Sequence, residues 1–197
     1  MKLSAPIALV RIDRDTGRPR RDERGFLARA PRGEPGLLAV ELRDDDLGPG
    51  VAGLVEGAFA RNDHWLVTSD VLVEDEDGDH WYVDALAGFI ETPSGPVSSR
   101  KVEDALYGLG EVEAACAWGR DGEVVAAIAT ATIPSAAWVG EALDALPPEA
   151  RPREIHVLPE LPLSDGYRPR RALTRALVGE PALRLVDGTY VATAART

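Results

Sequence analysis

Apolar positions recur along the chain with two different periods, and the change of period divides it. Over the first 83 residues the apolar runs are short. Residues 7–12 and 37–42 form two of them, and residues 65–68 and 81–83 two more. Brief runs rich in β-branched and aromatic residues, bounded by turn chemistry, read as strands. Asp15-Thr16-Gly17 follows the first run, and Gly33 and Pro35 precede the second. Asp77-Gly78 lies between the last two, where glycine accepts the positive φ of a hairpin turn. Regularly spaced strands of this kind predict a small barrel-like or curled sheet.

Beyond residue 88 the period lengthens. Val102, Ala105, Leu106 and Leu109 are spaced i, i+3, i+4, i+7 and share one helical face. Ser98 or Ser99 can cap that helix and Gly110 can end it. Two strands are expected next, at 112–118 and 123–132, separated by Asp121-Gly122. Ser135 can cap a second helix with Trp138, Val139, Ala142, Leu143 and Leu146 on its apolar face, and Pro147-Pro148 stops it. Residues 155–158 read as a strand, 170–177 as a short helix and Asp187-Gly188 as the turn of a closing hairpin. The expected fold class is therefore α+β. A β-rich barrel-like part spans residues 1–83, a hinge 84–88, and a compact α+β domain 89–197.

Composition narrows the function classes. The chain has 197 residues, 45% of them apolar, enough for a buried core. Its formal net charge of −11 repels nucleic acid and anionic membrane, so neither is expected as a partner. The acidic runs at 44–46 and 74–79 read as solvated loops. Cys116 is the single cysteine and lies in an apolar run, which predicts a buried structural thiol and no internal disulfide. No stretch approaches the ~18 apolar residues of a membrane helix, and the start of the chain lacks a signal-peptide pattern. A cytoplasmic protein is expected.

Several segments, taken in order, resemble acyl-CoA synthetases of the adenylate-forming superfamily, in the fatty-acid transport and very-long-chain class. PIALVRIDRDTGRPRRDERGF (6–26) is similar to that family's strand followed by D-x-x-T-x-x-P-x-R-D-x-x-G. RGEPGLL (32–38) resembles G-E-x-G-x-L, and FARNDHWLVTSDVLVEDEDG (59–78) the segment around W-x-x-T-G-D-L. WYVDALAGFI (81–90) stands where the family has its hinge, F-V-D-R-x-G-D. VSSRKVEDAL (97–106), ARPREIHVLPELPL (150–163) and LRLVDGTYV (183–191) resemble the later helix, strand and closing segment. The resemblance covers nearly the whole chain. It implies the last, barrel-like lobe of the large domain followed by the mobile C-terminal lid.

The same resemblance implies an activity, the AMP-forming ligation of a fatty acid to coenzyme A with ATP and Mg. Adenylation needs donors for the triphosphate, a carboxylate for the ribose and cations where charge builds. These 197 residues contain no Ser/Thr/Gly-rich loop ending in P-K-G. Asp70, in Thr68-Ser69-Asp70, fits the ribose aspartate. Asp84-Ala85 replaces the hinge D-R, and Ala87-Gly88 the hinge G-D, although Gly88 can still pivot. Pro93-Ser94-Gly95-Pro96-Val97 replaces K-G-E-N-V, placing two prolines on the strand that the thiol arm would pass. The catalytic lysine position holds Tyr167, or Arg168 after a shift of one. Neither supplies an amine: tyrosine is neutral at pH 7 and arginine is planar and bulkier.

No other catalytic set emerges. His64, His80 and His156 lack metal-ligand spacing, and Ser94 does not sit in a G-x-S-x-G elbow. Arg168, Arg170, Arg171 and Arg175 make a basic spot that reads as a solvated helix face, with an acidic partner or a phosphate as alternatives. Two readings follow. In one, the chain is the C-terminal part of a synthetase-like protein, inactive alone and without cofactor of its own, completed by a polypeptide carrying the large adenylating domain. In the other, it is a non-catalytic binding module derived from a synthetase, acting with a partner or as a homo-oligomer.

Overall fold

The computed structural model describes residues 6–13, 16–43 and 52–193. Asp15 of the first expected turn and the acidic run 44–46 lie outside them. The chain forms two compact units, Met1–Ala87 and Gly88–Thr197.

The first unit is built on strands β1 (Ile7–Val10), β2 (Gly36–Leu42), β3 (Leu54–Glu56), β4 (His64–Glu74) and β5 (His80–Ala85). All pairings are antiparallel, in the order β1-β2-β4-β3. β4 is long enough to carry β3 against His64–Leu66 and β5 against Asp70–Glu74. The sheet is open among the described residues. Leu9, Val10, Leu37, Ala39, Trp65 and Val71 are buried and form its core. The Trp65 indole meets Phe59 edge-on at 4.8 Å and donates from Nε1 to Asp63 at 2.8 Å. The β4–β5 turn is a hairpin, as Asp77-Gly78 predicts. Asp75 organises it, its carboxylate accepting from the Asp77 and Asp79 amides and from Trp81 Nε1.

The second unit opens with a hairpin absent from the sequence reading, β6 (Phe89–Thr92) and β7 (Gly95–Ser98). Pro93 and Ser94 form its turn, so only Pro96 lies within a strand. The expectation of two prolines on one strand is corrected accordingly. Next come α1 (Ser99–Tyr107), β8 (Ala114–Arg120), β9 (Glu123–Ala129), α2 (Ala136–Leu143), β10 (Glu154–Leu158), α3 (Arg171–Leu177), β11 (Leu183–Val186) and β12 (Thr189–Ala192). The sheet order is β12-β11-β10-β9-β8. Only β9 and β10 are parallel, and α2 lies in their connection, as a parallel pair requires. The β8–β9 and β11–β12 turns each place Asp-Gly at positive φ: 54° and 78° for Asp121-Gly122, 47° and 79° for Asp187-Gly188.

Period-two alternation makes this sheet apolar on both faces. Ala115, Ala117, Val124, Ala126, Ile128 and Ile155 point to one side, where Val102, Leu106, Val139 and Leu143 of α1 and α2 meet them. Ala114, Cys116, Trp118, Val125, Ala127 and Ala129 point to the other, against Leu161. Full burial of each large aliphatic side chain contributes about 1.5–3 kcal/mol.

The helix ends differ from expectation in two places. Ser98 caps α1, its Oγ accepting from the Lys101 amide, but the helix closes at Gly108, and Gly110 takes its positive φ two residues later. Ser135 caps α2 as expected, accepting from the Trp138 amide at 3.2 Å. Trp138 itself is 37% exposed, so the buried face of α2 is the narrower pair Val139 and Leu143.

Candidate functional site

The residues of chemical interest fall into two groups, one in each unit. In the first, β4 presents Thr68-Ser69-Asp70. Thr68 Oγ1 donates to the Leu38 carbonyl at 3.2 Å and accepts from the Asp70 amide at 3.1 Å, which fixes the backbone where the Asp70 carboxylate leaves the strand. Ser69 lies within β4 and is not among the positive-φ residues, so serine costs nothing there. Strand pairing brings Asp70 opposite Ala85. Asp84 beside it is 6% exposed, and its Oδ1 accepts from the Ala85 amide at 2.8 Å. Asp70 therefore faces a methyl group at the position where the resemblance sets an arginine. The 3-10 turn Leu86–Gly88 follows directly, with Gly88 buried.

In the second unit the polypeptide turns sharply before α3. Leu163 and Pro169 bridge, Ser164 N donates to the Arg168 carbonyl, and Tyr167 N donates to the Ser164 carbonyl at 2.9 Å. Asp165-Gly166 form the tip and Tyr167 follows them. Tyr167 has φ +58° and is 84% exposed. A non-glycine side chain in the left-handed region is uncommon and costs about 1 kcal/mol or more. The turn thus projects Tyr167 and Arg168 into solvent, and no amine stands at either position.

The arginines that follow do not form one solvated face. Arg171 Nη2 donates to Ser99 Oγ at 2.5 Å and to Glu103 Oε1 at 3.4 Å. Arg175 places its guanidinium 5.9 Å from the Trp118 ring. Arg168 and Arg170 are exposed. The Arg171 anchor was not legible from spacing, because its partners lie 68 and 72 residues earlier.

Two further buried groups sit on the α3 side of the sheet. Cys116 is 1% exposed, and its thiol is pushed up to about 11 by burial and by the Glu103 carboxylate. His156 is 2% exposed and stacks on Trp118 with ring centroids 6.3 Å apart. Neither ring nitrogen makes a hydrogen bond of normal geometry. The nearby groups are the Glu154 carboxylate, 3.7 Å from Nε2, and the Glu180 backbone. Burial, then Arg120, hold the imidazole below its ordinary value of 6.5. Glu154 is itself paired with Arg120 and with Arg184. Among the described residues no three His, Cys, Asp or Glu side chains gather as a metal would require. Among the described residues no helix is long and apolar enough to cross a membrane.

No family profile matches the chain. In sequence it is similar to the medium/long-chain-fatty-acid–CoA ligase FadD6 of Mycobacterium tuberculosis, 36% identical over 121 residues, or 58% of this chain and 20% of that protein. It is 29% identical to mouse long-chain fatty acid transport protein 5, over 60% of this chain and 18% of that protein. Mouse long-chain fatty acid transport protein 3 is 26% identical over 94% of this chain and 30% of its own length. In fold it is similar to the Bacillus subtilis o-succinylbenzoate coenzyme A synthetase MenE in complex with AMP. That match has a TM-score of 0.67 and 17% identity, over 91% of this chain and 34% of that one. The amide bond synthetase McbA from Marinactinospora thermotolerans gives a TM-score of 0.63 and 23% identity, over 90% of this chain and 35% of that one. The chain thus spans about a fifth of the length of the first curated relatives and about a third of the solved enzymes.

Proposed function

The chain resembles the C-terminal portion of fatty-acid–CoA ligases and adenylate-forming synthetases, and from that premise we propose that it is such a portion and does not adenylate a carboxylate by itself. On this reading the first unit is the barrel-like lobe that closes a large domain. The segment 84–88 is the hinge, and residues 89–197 are the lid. The parent activity joins a fatty acid to coenzyme A through an acyl-adenylate and draws on ATP, Mg and coenzyme A.

The observation that carries the proposal is the turn at Tyr167. Adenylation places a cation against the nucleotide from the lid, and here the exposed turn offers a phenol with an arginine beside it. Losing one preorganised charge of this kind costs on the order of 10²–10³ in rate. The residues present do not fit a nucleotide: Asp70 supplies a single ribose acceptor opposite Ala85, and the sequence has no loop of backbone donors for phosphates. A separately supplied large adenylating domain is the partner this arrangement calls for.

Carboxylate-dependent ATP–pyrophosphate exchange tests the reading. The 197-residue chain alone should give no exchange above background with fatty acids of any length. Exchange by the chain alone would overturn it.

A further inference from the structure

His156 is enclosed without being held. It pairs opposite Ala127 and so shares the sheet face of Cys116, Trp118 and Leu161. Its side chain is buried, and both ring nitrogens are shut off from solvent without a hydrogen bond of normal geometry. The segment from Val178 to Ala182, which joins α3 to β11, lies over this site. The Glu180 backbone stands beside the imidazole, and Val178 packs into the same apolar cluster. The segment is tied at its two ends. Val178 N donates to the Thr174 carbonyl at 3.3 Å, and Ala182 N donates to the Ile155 carbonyl at 2.9 Å. Between them, neither the Gly179 nor the Glu180 amide donates to a backbone carbonyl among the described residues. Pro181 has no N–H to donate, and its carbonyl accepts from Thr193 Oγ1.

The charges around the ring offer no free counter-ion. On β10, Glu154 Oε2 is 3.7 Å from Nε2. The same carboxylate is paired with Arg120 of β8 and with Arg184 of β11. The covering segment supplies Glu180, whose side chain is 76% exposed and lies 3.8 Å from Arg184. Helix α3 supplies Arg175, with its guanidinium 5.9 Å from the Trp118 ring. From β8 the remaining neighbours are Trp118 and the Cys116 thiol, and from β9 only Val125 and Ala127. Leu161 comes from a loop whose Glu160 is exposed. A buried imidazolium would therefore be a third cation on one carboxylate. A buried charge without a partner of its own is costly, and water is the acceptor that remains.

We propose that residues 178–182 form an acid-released strap: when His156 takes up a proton, the strap lifts from the sheet and the imidazolium is hydrated, while α1 and strands β8 and β9 stay folded. The sign follows from the two forms. The open form binds the proton at the ordinary imidazole value of 6.5. The closed form binds it only below that, because burial and then Arg120 oppose the charge. Falling pH therefore favours opening, by about tenfold at pH 5.5 relative to pH 8 for a single proton. The device does not depend on the synthetase reading.

Amide hydrogen exchange of the full chain at about pH 8 and pH 5.5, each rate divided by the intrinsic rate at that pH, tests it. Protection of the Ala182 amide should fall about tenfold at the lower pH, while the amides of β9 keep theirs. His156→Phe, which preserves a ring against Trp118, should abolish the fall. Arg120→Gln removes a cation facing the ring and should move the midpoint of opening to higher pH. Constant protection of Ala182, or an equal fall in His156→Phe, would overturn the proposal. A parallel loss of protection in β9 would show global unfolding in place of strap release and would also overturn it. Should His156→Phe fail to fold, Arg120→Gln decides, and an unmoved midpoint would overturn the proposal.

Discussion

Arg171 and Glu103 meet 3.4 Å apart and fasten the start of α3 to α1. The same Glu103 oxygen accepts the Ala117 amide of the edge strand β8 at 2.9 Å. One carboxylate, 18% exposed, therefore joins two helices and a sheet edge. Removing it takes the carboxylate from a partly buried guanidinium, which keeps Ser99, and the acceptor from a buried amide. Glu103→Ala should lower stability by about 2–3 kcal/mol in urea unfolding. Glu103→Gln keeps an acceptor for Ala117 and should cost about half as much. Equal losses in the two variants would show that the amide contact contributes nothing.

His156 makes stability depend on pH with a definite sign. Burial holds its folded-state pKa below 6.5, so the unfolded chain takes up the proton first as pH falls. Stability present above 6.5 is then lost as pH drops through 6.5 toward the lower folded value. Thermal unfolding followed between about pH 8 and pH 5 should show this loss, and His156→Leu should make the slope shallower. An unchanged slope in the variant would assign the pH dependence to other groups.

Cys116 should be chemically silent. Its thiol is held at about 11, by burial first and the Glu103 carboxylate second, so almost no thiolate exists at neutral pH. A disulfide reagent should modify it at least about a hundredfold more slowly in the native protein than in guanidinium chloride. Rapid native labelling would mean that α3 opens readily from the sheet.

What the sequence revealed and what it hid divide along physical lines. Val102 and Leu106 announced α1 because a 3.6-residue period is a property of the helix itself. Asp121-Gly122 and Asp187-Gly188 announced their hairpins because the required positive φ is local. The β6–β7 hairpin escaped because Pro93 and Pro96 argue against strands, yet one occupies the turn and the other a strand with a single neighbour. Strand β3 escaped because three residues, Leu54–Glu56, carry no period. Trp138 looked like core because it follows the spacing of α2, but it is 37% exposed. Of the candidate site, Asp70 and Tyr167 were legible through resemblance to a family. The register that sets Asp70 opposite Ala85, and the strained projection of Tyr167, belong to tertiary structure and could not be read from spacing.

The proposed function holds that these residues do not form a competent nucleotide site. Calorimetric titration of the full chain with Mg-ATP, and then with a non-hydrolysable acyl-adenylate analogue, tests that most directly. The predicted result is no binding tighter than about 1 mM, equivalent to roughly −4 kcal/mol. Saturable binding at micromolar concentration, lost on Asp70→Ala, would contradict it.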